Sequence, residues 1–105
     1  MTLPDAFVSA AKDAVCERFG ITREKLMHGG HHRIYARPRQ VLMWILRARG
    51  LSHSQVGLSL GGLDHTTVLH GTRVIAEHPE LLAVASEIAL MLELADGLRT
   101  AKEAA

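Results

Sequence analysis

The chain has 105 residues, with 12 Lys and Arg against 11 Asp and Glu for a net charge of +1, and it is 48% hydrophobic but only 4% aromatic. That length supports one domain around one core, residues 1–105, and the core has to rest on Leu, Val, Ile, Ala and Met. No apolar run reaches the ~20 residues of a membrane span, the first residues lack the basic and apolar segments of a secretory signal, and the single Cys16 rules out an internal disulfide, so a reducing cytoplasm is the expected compartment.

From Pro4 to Phe19 the apolar residues Phe7, Val8, Ala11, Val15 and Phe19 form a helical stripe closed by Gly20. Cys16 belongs to this helix as a small apolar residue. Thr22 is placed to cap a short second helix running through Met27. His28-Gly29-Gly30-His31-His32-Arg33 reads as a loop by its glycines. A long helix is predicted from Ala36 to Arg49, with Pro38 in its first turn and Val41, Leu42, Trp44, Ile45 and Leu46 on the buried side, ended by Gly50. Ser52 or Ser54 caps a short helix carrying Val56, Leu58 and Leu60. Gly61-Gly62 then turns the chain into a helix from about Asp64 to Glu77, for which Asp64 is a good N-cap. Pro79 starts a last helix with Leu81, Val84, Ala85, Ile88, Met91, Leu92 and Ala95 as its core stripe. Leu90, Leu94 and Leu98 lie off that stripe: either they close the far side of the core, the reading favoured for Leu90 and Leu94, or they form a face for self-association or a protein partner. The pattern is all-α, with a helix-turn-helix made of residues 54–60 and 64–77.

The near-zero net charge hides a division. Residues 23–49 contain Arg23, Lys25, Arg33, Arg37, Arg39, Arg47 and Arg49 against Glu24 alone, whereas residues 74–105 hold six acidic groups against Arg99 and Lys102. A basic block of this kind is where phosphates would sit. The second helix of the helix-turn-helix opens with Asp64, His65, Thr66 and Thr67. Short hydrogen-bonding side chains at that end suit a major groove, because a threonine methyl packs on the thymine methyl, a carboxylate accepts from cytosine N4 and an imidazole meets a purine edge.

Gly61-Gly62-Leu63-Asp64-His65-Thr66-Thr67-Val68-Leu69-His70 resembles the signature of the C-terminal DNA-binding domain (domain IV) of the bacterial replication initiator DnaA, and Ala36-Arg37-Pro38-Arg39-Gln40 resembles the start of that domain's long helix at the matching separation. The resemblance covers roughly residues 5–95. It implies a fold of five to six helices with a Trp-repressor-like helix-turn-helix, here as a stand-alone domain, with double-stranded DNA carrying DnaA-box-like sites as the partner. It implies base contacts from Asp64, His65 and Thr66. Backbone contacts would come from Arg37, Arg39, Gln40, Arg47, Thr67 and Arg73, with Arg39 and Gln40 as phosphate clamps at the N-terminus of the long helix. His70 and Arg73 either follow the backbone or support the turn, and Arg49 is a solvated charge or a contact. By the same resemblance the domain reads an asymmetric site as a monomer.

Two departures alter the expected recognition. Leu63 stands where the family usually has arginine. His31 stands where the family inserts an arginine into the minor groove, with Arg33 two residues on. A neutral imidazole is a weak substitute for guanidinium in a narrow A·T groove, and since histidine titrates near ~6.5 this contact would strengthen as pH falls. The major-groove half of the site should therefore be read, the A·T-rich flank less strictly, and affinity should be lower than for a full family domain. His28, His31 and His32 invite a metal, but no Cys and no carboxylate beyond Glu24 completes a ligand set, so no metal and no cofactor are expected. A Gly-x-x-x-x-Gly-Lys-Ser/Thr phosphate loop is missing from the sequence, and no enzyme activity is expected. Three roles stay open on the residues: modulation of replication initiation at such sites, through site occupancy or contact with the DnaA initiator or its inactivation machinery; a transcriptional regulator, of phage origin or otherwise, at promoters that carry the sites; or an adaptor that uses the fold on proteins.

Overall fold

The structure, a computed structural model, describes residues 4–104, the side chains as far as Leu98. Arg99 and Lys102, set above against the acidic segment, have side chains outside the described residues, as do Met1–Leu3 and Ala105 entirely. Six helices follow one another: α1 Asp5–Phe19, α2 Arg23–His28, α3 Arg33–Ala48, α4 His53–Ser59, α5 His65–Glu77 and α6 Pro79–Ala104. All regular structure among the described residues is helical.

The punctuation works through the capping chemistry expected of it. Gly20 takes a left-handed conformation (φ 66°) that ends α1, and its N–H donates to the Cys16 carbonyl. The Thr22 hydroxyl accepts from the Lys25 N–H at the start of α2. Of the two serines, Ser52 is the cap of α4. It forms a reciprocal box with Gln55, whose N–H donates to Ser52 Oγ (3.1 Å) while its Oε1 accepts from the Ser52 N–H (2.8 Å).

α3 is the central element and packs against all five other helices. Its Val41, Leu42, Ile45 and Leu46 are buried together with Val15, Leu26, Val56, Val68 and Ile75. Burying each such side chain contributes about 1.5–3 kcal/mol, so this aliphatic cluster supplies the main driving force in place of aromatics. Trp44 is only half-buried. Cys16 lies inside, and burial pushes its thiol pKa up.

Two expectations are corrected. α3 begins at Arg33 rather than Ala36, so Pro38 falls in its second turn. Helix starts there because His32 caps it, its Nδ1 accepting from the Ile34 N–H (3.4 Å). The carbonyl that Pro38 leaves unpaired belongs to Ile34, an exposed residue that water can reach. On α4, Val56 and Leu60 are buried and Leu58 is 66% exposed. On α6, Ala85 and Ile88 are buried, yet Met91 and Ala95 are exposed, and Leu90, Leu94 and Leu98 are exposed as well. The reason is length. α6 has 26 residues and the α1 helix it packs on has 15; its second half meets α1 only along the edge that carries Leu92, Ala95 and Asp96, and Leu90, Leu94 and Leu98 fall outside that edge.

Candidate nucleic-acid interface

The helix-turn-helix consists of α4, the segment 60–64 and α5, and a glycine sets its angle. Gly57 lies inside α4, yet a Cβ there would come within 2.1 Å of the Leu63 carbonyl oxygen, so α4 and the turn touch backbone to backbone. The Gly57 carbonyl accepts from the N–H groups of Leu60 (3.1 Å), Gly62 (2.9 Å) and Leu63 (3.0 Å). Gly61 and Gly62, at φ 85° and 92°, supply the left-handed backbone that folds the turn back onto that carbonyl. Further along α5, Gly71 faces Met43 and Gln40 of α3, and a Cβ there would lie 2.4 Å from Met43 Sδ. Val68, Gly71 and Ile75 are thereby buried, and the opposite side of α5 is left outward.

Asp64, His65, Thr66 and Thr67 are all exposed at the start of α5. Asp64 occupies the N-cap position, but its side chain makes no capping bond. Instead it accepts from the Thr66 hydroxyl and lies 3.3 Å from His65 Nδ1. The Thr66 hydrogen bond is the main reason the Asp64 carboxyl stays below the usual carboxylate range, with the neighbouring His65 adding to it. Thr66, His70 and Arg73 recur at helical spacing on the outward side, and all three are exposed. The start of α5 thus offers a carboxylate, an imidazole and two hydroxyls, with a second imidazole and a guanidinium one and two turns on.

The basic block is largely tied into the fold. Arg39 donates from Nε to the Leu26 carbonyl (2.8 Å) and from Nη1 to the Gly30 carbonyl (3.1 Å), fastening the 29–32 loop to α3; its Nη2 is buried without a partner. Burial lowers the pKa of the Arg39 guanidinium. Arg37 donates to Gln40 Oε1 (3.0 Å), and Gln40 is packed where α3 crosses α5. Arg47 donates to the Leu51 carbonyl (2.7 Å), fixing the lead into α4. Arg23 pairs with Asp13 of α1. Arg49, exposed at the end of α3, pairs with Asp96 of α6 (2.9 Å) and stacks over the Phe7 ring (4.4 Å). Arg33 and His31 are exposed beside the loop.

Two hollows flank the helix-turn-helix. One is lined by Met27, His28, His31, Arg39, Leu60 and Leu63, so His31 and Leu63 share it. The other lies between α3, α4 and α5 and includes Trp44, Arg47, His53, Leu69, Thr72 and Arg73. His53 escaped the sequence reading because its only local signal is its place after the Ser52 cap; Arg47 and Arg73 reach it through the fold. The groups expected at the start of α5 are together, and Arg47 and Arg73 meet in this second hollow. Arg37, Arg39 and Gln40 lie instead along the first turns of α3, engaged by protein atoms. Among the described residues no three His, Cys, Asp or Glu side chains are grouped to hold a metal ion, and no helix is long and apolar enough to cross a membrane.

The sequence is similar to chromosomal replication initiator proteins DnaA. It is 45% identical to that of Thermomicrobium roseum over 65 residues, covering 61% of this chain and 14% of the relative. With that of Neisseria meningitidis the identity is 36% over 86 residues, 77% of this chain and 17% of the relative; with that of Aromatoleum aromaticum it is 50% over 46 residues, 43% and 10%. The chain therefore spans less than a fifth of the length of these relatives. Residues 8–75, from the first turn of α1 to the last of α5, match the bacterial DnaA protein helix-turn-helix, and the chain belongs to that family.

Proposed function

We propose that the protein is a sequence-specific double-stranded DNA-binding protein that recognises DnaA-box-like sites and modulates the initiation of chromosomal replication. The observation that carries this reading is the exposed Asp64-His65-Thr66-Thr67 end of α5, set at a fixed angle by the Gly57–Leu63 contact. In this reading Asp64, His65 and Thr66 face base edges, and Thr67, Arg47 and Arg73 face phosphates. Arg37, Arg39 and Gln40 approach the backbone from the N-terminal turns of α3, and His31 and Arg33 approach the minor groove. The role in initiation rests on the relatives, whose names describe initiators of chromosomal replication. The protein acts as a monomer on its site, at the nucleoid, and through the site or through the initiator and its inactivation machinery.

Fluorescence anisotropy of the protein with a DnaA-box duplex and a scrambled duplex, each at two salt concentrations, tests this. Preference for the box together with a steep fall of affinity with salt is the expected result. Equal binding to both duplexes overturns the sequence-specific part. A second reading, an adaptor acting on proteins, draws on the exposed Leu90, Met91, Leu94 and Leu98 of α6. It predicts binding to neither duplex at low salt.

A further inference from the structure

We propose that His53 is a proton-linked ligand for a phosphate of the DNA backbone, seated in the hollow between α3, α4 and α5. This rests on the DNA-binding reading above and assigns a residue that neither motif contains.

Three groups from three helices converge there: Arg47 from α3, His53 from α4 and Arg73 from α5. No carboxylate lines the hollow. Arg73 and His53 make no hydrogen bond or ion pair among the described residues, and Arg47 is oriented by its bond to the Leu51 carbonyl. The fold therefore holds two guanidinium groups and an imidazole around an open space without a counter-ion, on the flank of the helix that opens with Asp64, His65 and Thr66. A phosphodiester is the ligand that fits, because it carries one charge and presents two oxygens to forked donors. Charged groups near His53 come from each helix packed around it. Arg47 lies on α3, and Arg73 and His65 lie on α5; the carboxylate nearest in sequence to His65, Asp64, is engaged with Thr66 and His65 itself. Desolvation, then Arg47 and His65, push the His53 pKa below its ordinary value, which disfavours the protonated ring in the free protein. A phosphate beside it reverses that balance. The ring takes up a proton from solvent and donates its N–H to the phosphate oxygen, so that duplex binding and proton uptake are coupled.

The test uses the whole chain. The His53 ring is titrated by NMR in the free protein and in its complexes with a DnaA-box duplex and a scrambled duplex. Anisotropy of the wild type and His53→Gln is followed from pH 7.5 to 5.5 at constant ionic strength. A rise of the His53 pKa in both complexes is expected. The wild type should gain affinity with falling pH more steeply than His53→Gln, by up to about tenfold per pH unit for one linked proton. The difference should be equal on the two duplexes, since phosphates carry no sequence information. An unchanged His53 pKa in the complexes, or the same pH slope in wild type and His53→Gln, overturns the inference while duplex binding itself still stands. Failure of the wild type to bind either duplex at any pH overturns the DNA-binding reading, and the His53 assignment with it.

Discussion

Helix propensity and tertiary packing make opposite forecasts for Gly57→Ala, which makes it a decisive substitution. In the interior of an exposed helix the change stabilises by about 1 kcal/mol. Here the new methyl would lie 2.1 Å from the Leu63 carbonyl oxygen, an atom of the backbone that no rotamer change can move aside. To reach an ordinary contact of 3.4 Å or more the turn has to retreat by at least about 1.3 Å, a small-to-large overpacking that costs about 1–3 kcal/mol. The retreat also stretches the bonds that the Gly62 and Leu63 N–H groups make to the Gly57 carbonyl, at 2.9 and 3.0 Å. Each is a further loss of about 0.5–1.5 kcal/mol. After the propensity gain, a net destabilisation of about 1–5 kcal/mol, centred near 3 kcal/mol, is expected; the central value lowers the melting temperature of a domain of this size by roughly 12–24 °C. Urea unfolding followed by circular dichroism measures it, and anisotropy on a box duplex reports the displaced α5. A variant as stable as the wild type, or more so, would show that α4 does not press on the turn as described.

Gly71→Ala is the matched control. Its methyl meets the end of the flexible Met43 side chain at 2.4 Å and Gln40 Cγ at 3.2 Å, so Met43 yields and the same urea assay should place it within about 1 kcal/mol of wild type. Thr66→Ala removes a base-facing hydroxyl and the anchor of the Asp64 carboxylate; it should cost about 1–3 kcal/mol of affinity on a DnaA-box duplex and little on a scrambled one, and equal losses on both would sink its assignment as a base reader. The Asp64 carboxyl is held below its ordinary pKa of 3.8 by Thr66. Its stabilising contribution is thus present above that value and lost as pH falls toward the folded pKa. The urea midpoints of wild type and Asp64→Asn should accordingly differ at pH 7 and converge below pH 3.8; a gap that persists in acid contradicts this. Leu94→Asn, on the exposed side of α6, should unfold within about 0.5 kcal/mol of the wild type, and a larger loss would mean that a partner covers that face in solution.

Local chemistry was legible and distant partners were not. Gly20, Thr22, Ser52, Gly61-Gly62 and Pro79 each act within a few residues of themselves, so the ends they set are written in the sequence. The start of α3 was missed because Pro38 argues for a first-turn position, whereas His32 caps the helix earlier and the solvent beside Ile34 tolerates the missing bond. Periodicity marked the apolar residues of α6 but could not say where the helices facing it stop, so Met91, Ala95, Leu90 and Leu94 read as core. At the site, the Asp64–Thr67 group is contiguous and came out whole. The engagements of Arg39 with Leu26 and Gly30, and of Arg49 with Asp96 and Phe7, join segments that only the fold brings together. The same holds for His53, which acquires its guanidinium neighbours from two other helices.

The pairing of α1 with α6 has a corollary. Phe7 lies under Arg49 and beside Leu92, Ala95 and Asp96, so the start of α1 is stapled against the second half of α6. Both helices also pack on α3. Because Arg49 closes α3 just ahead of the Ser52 cap, the same clasp anchors the lead into α4, and a change that loosens α1 from α6 is passed on to the start of the helix-turn-helix.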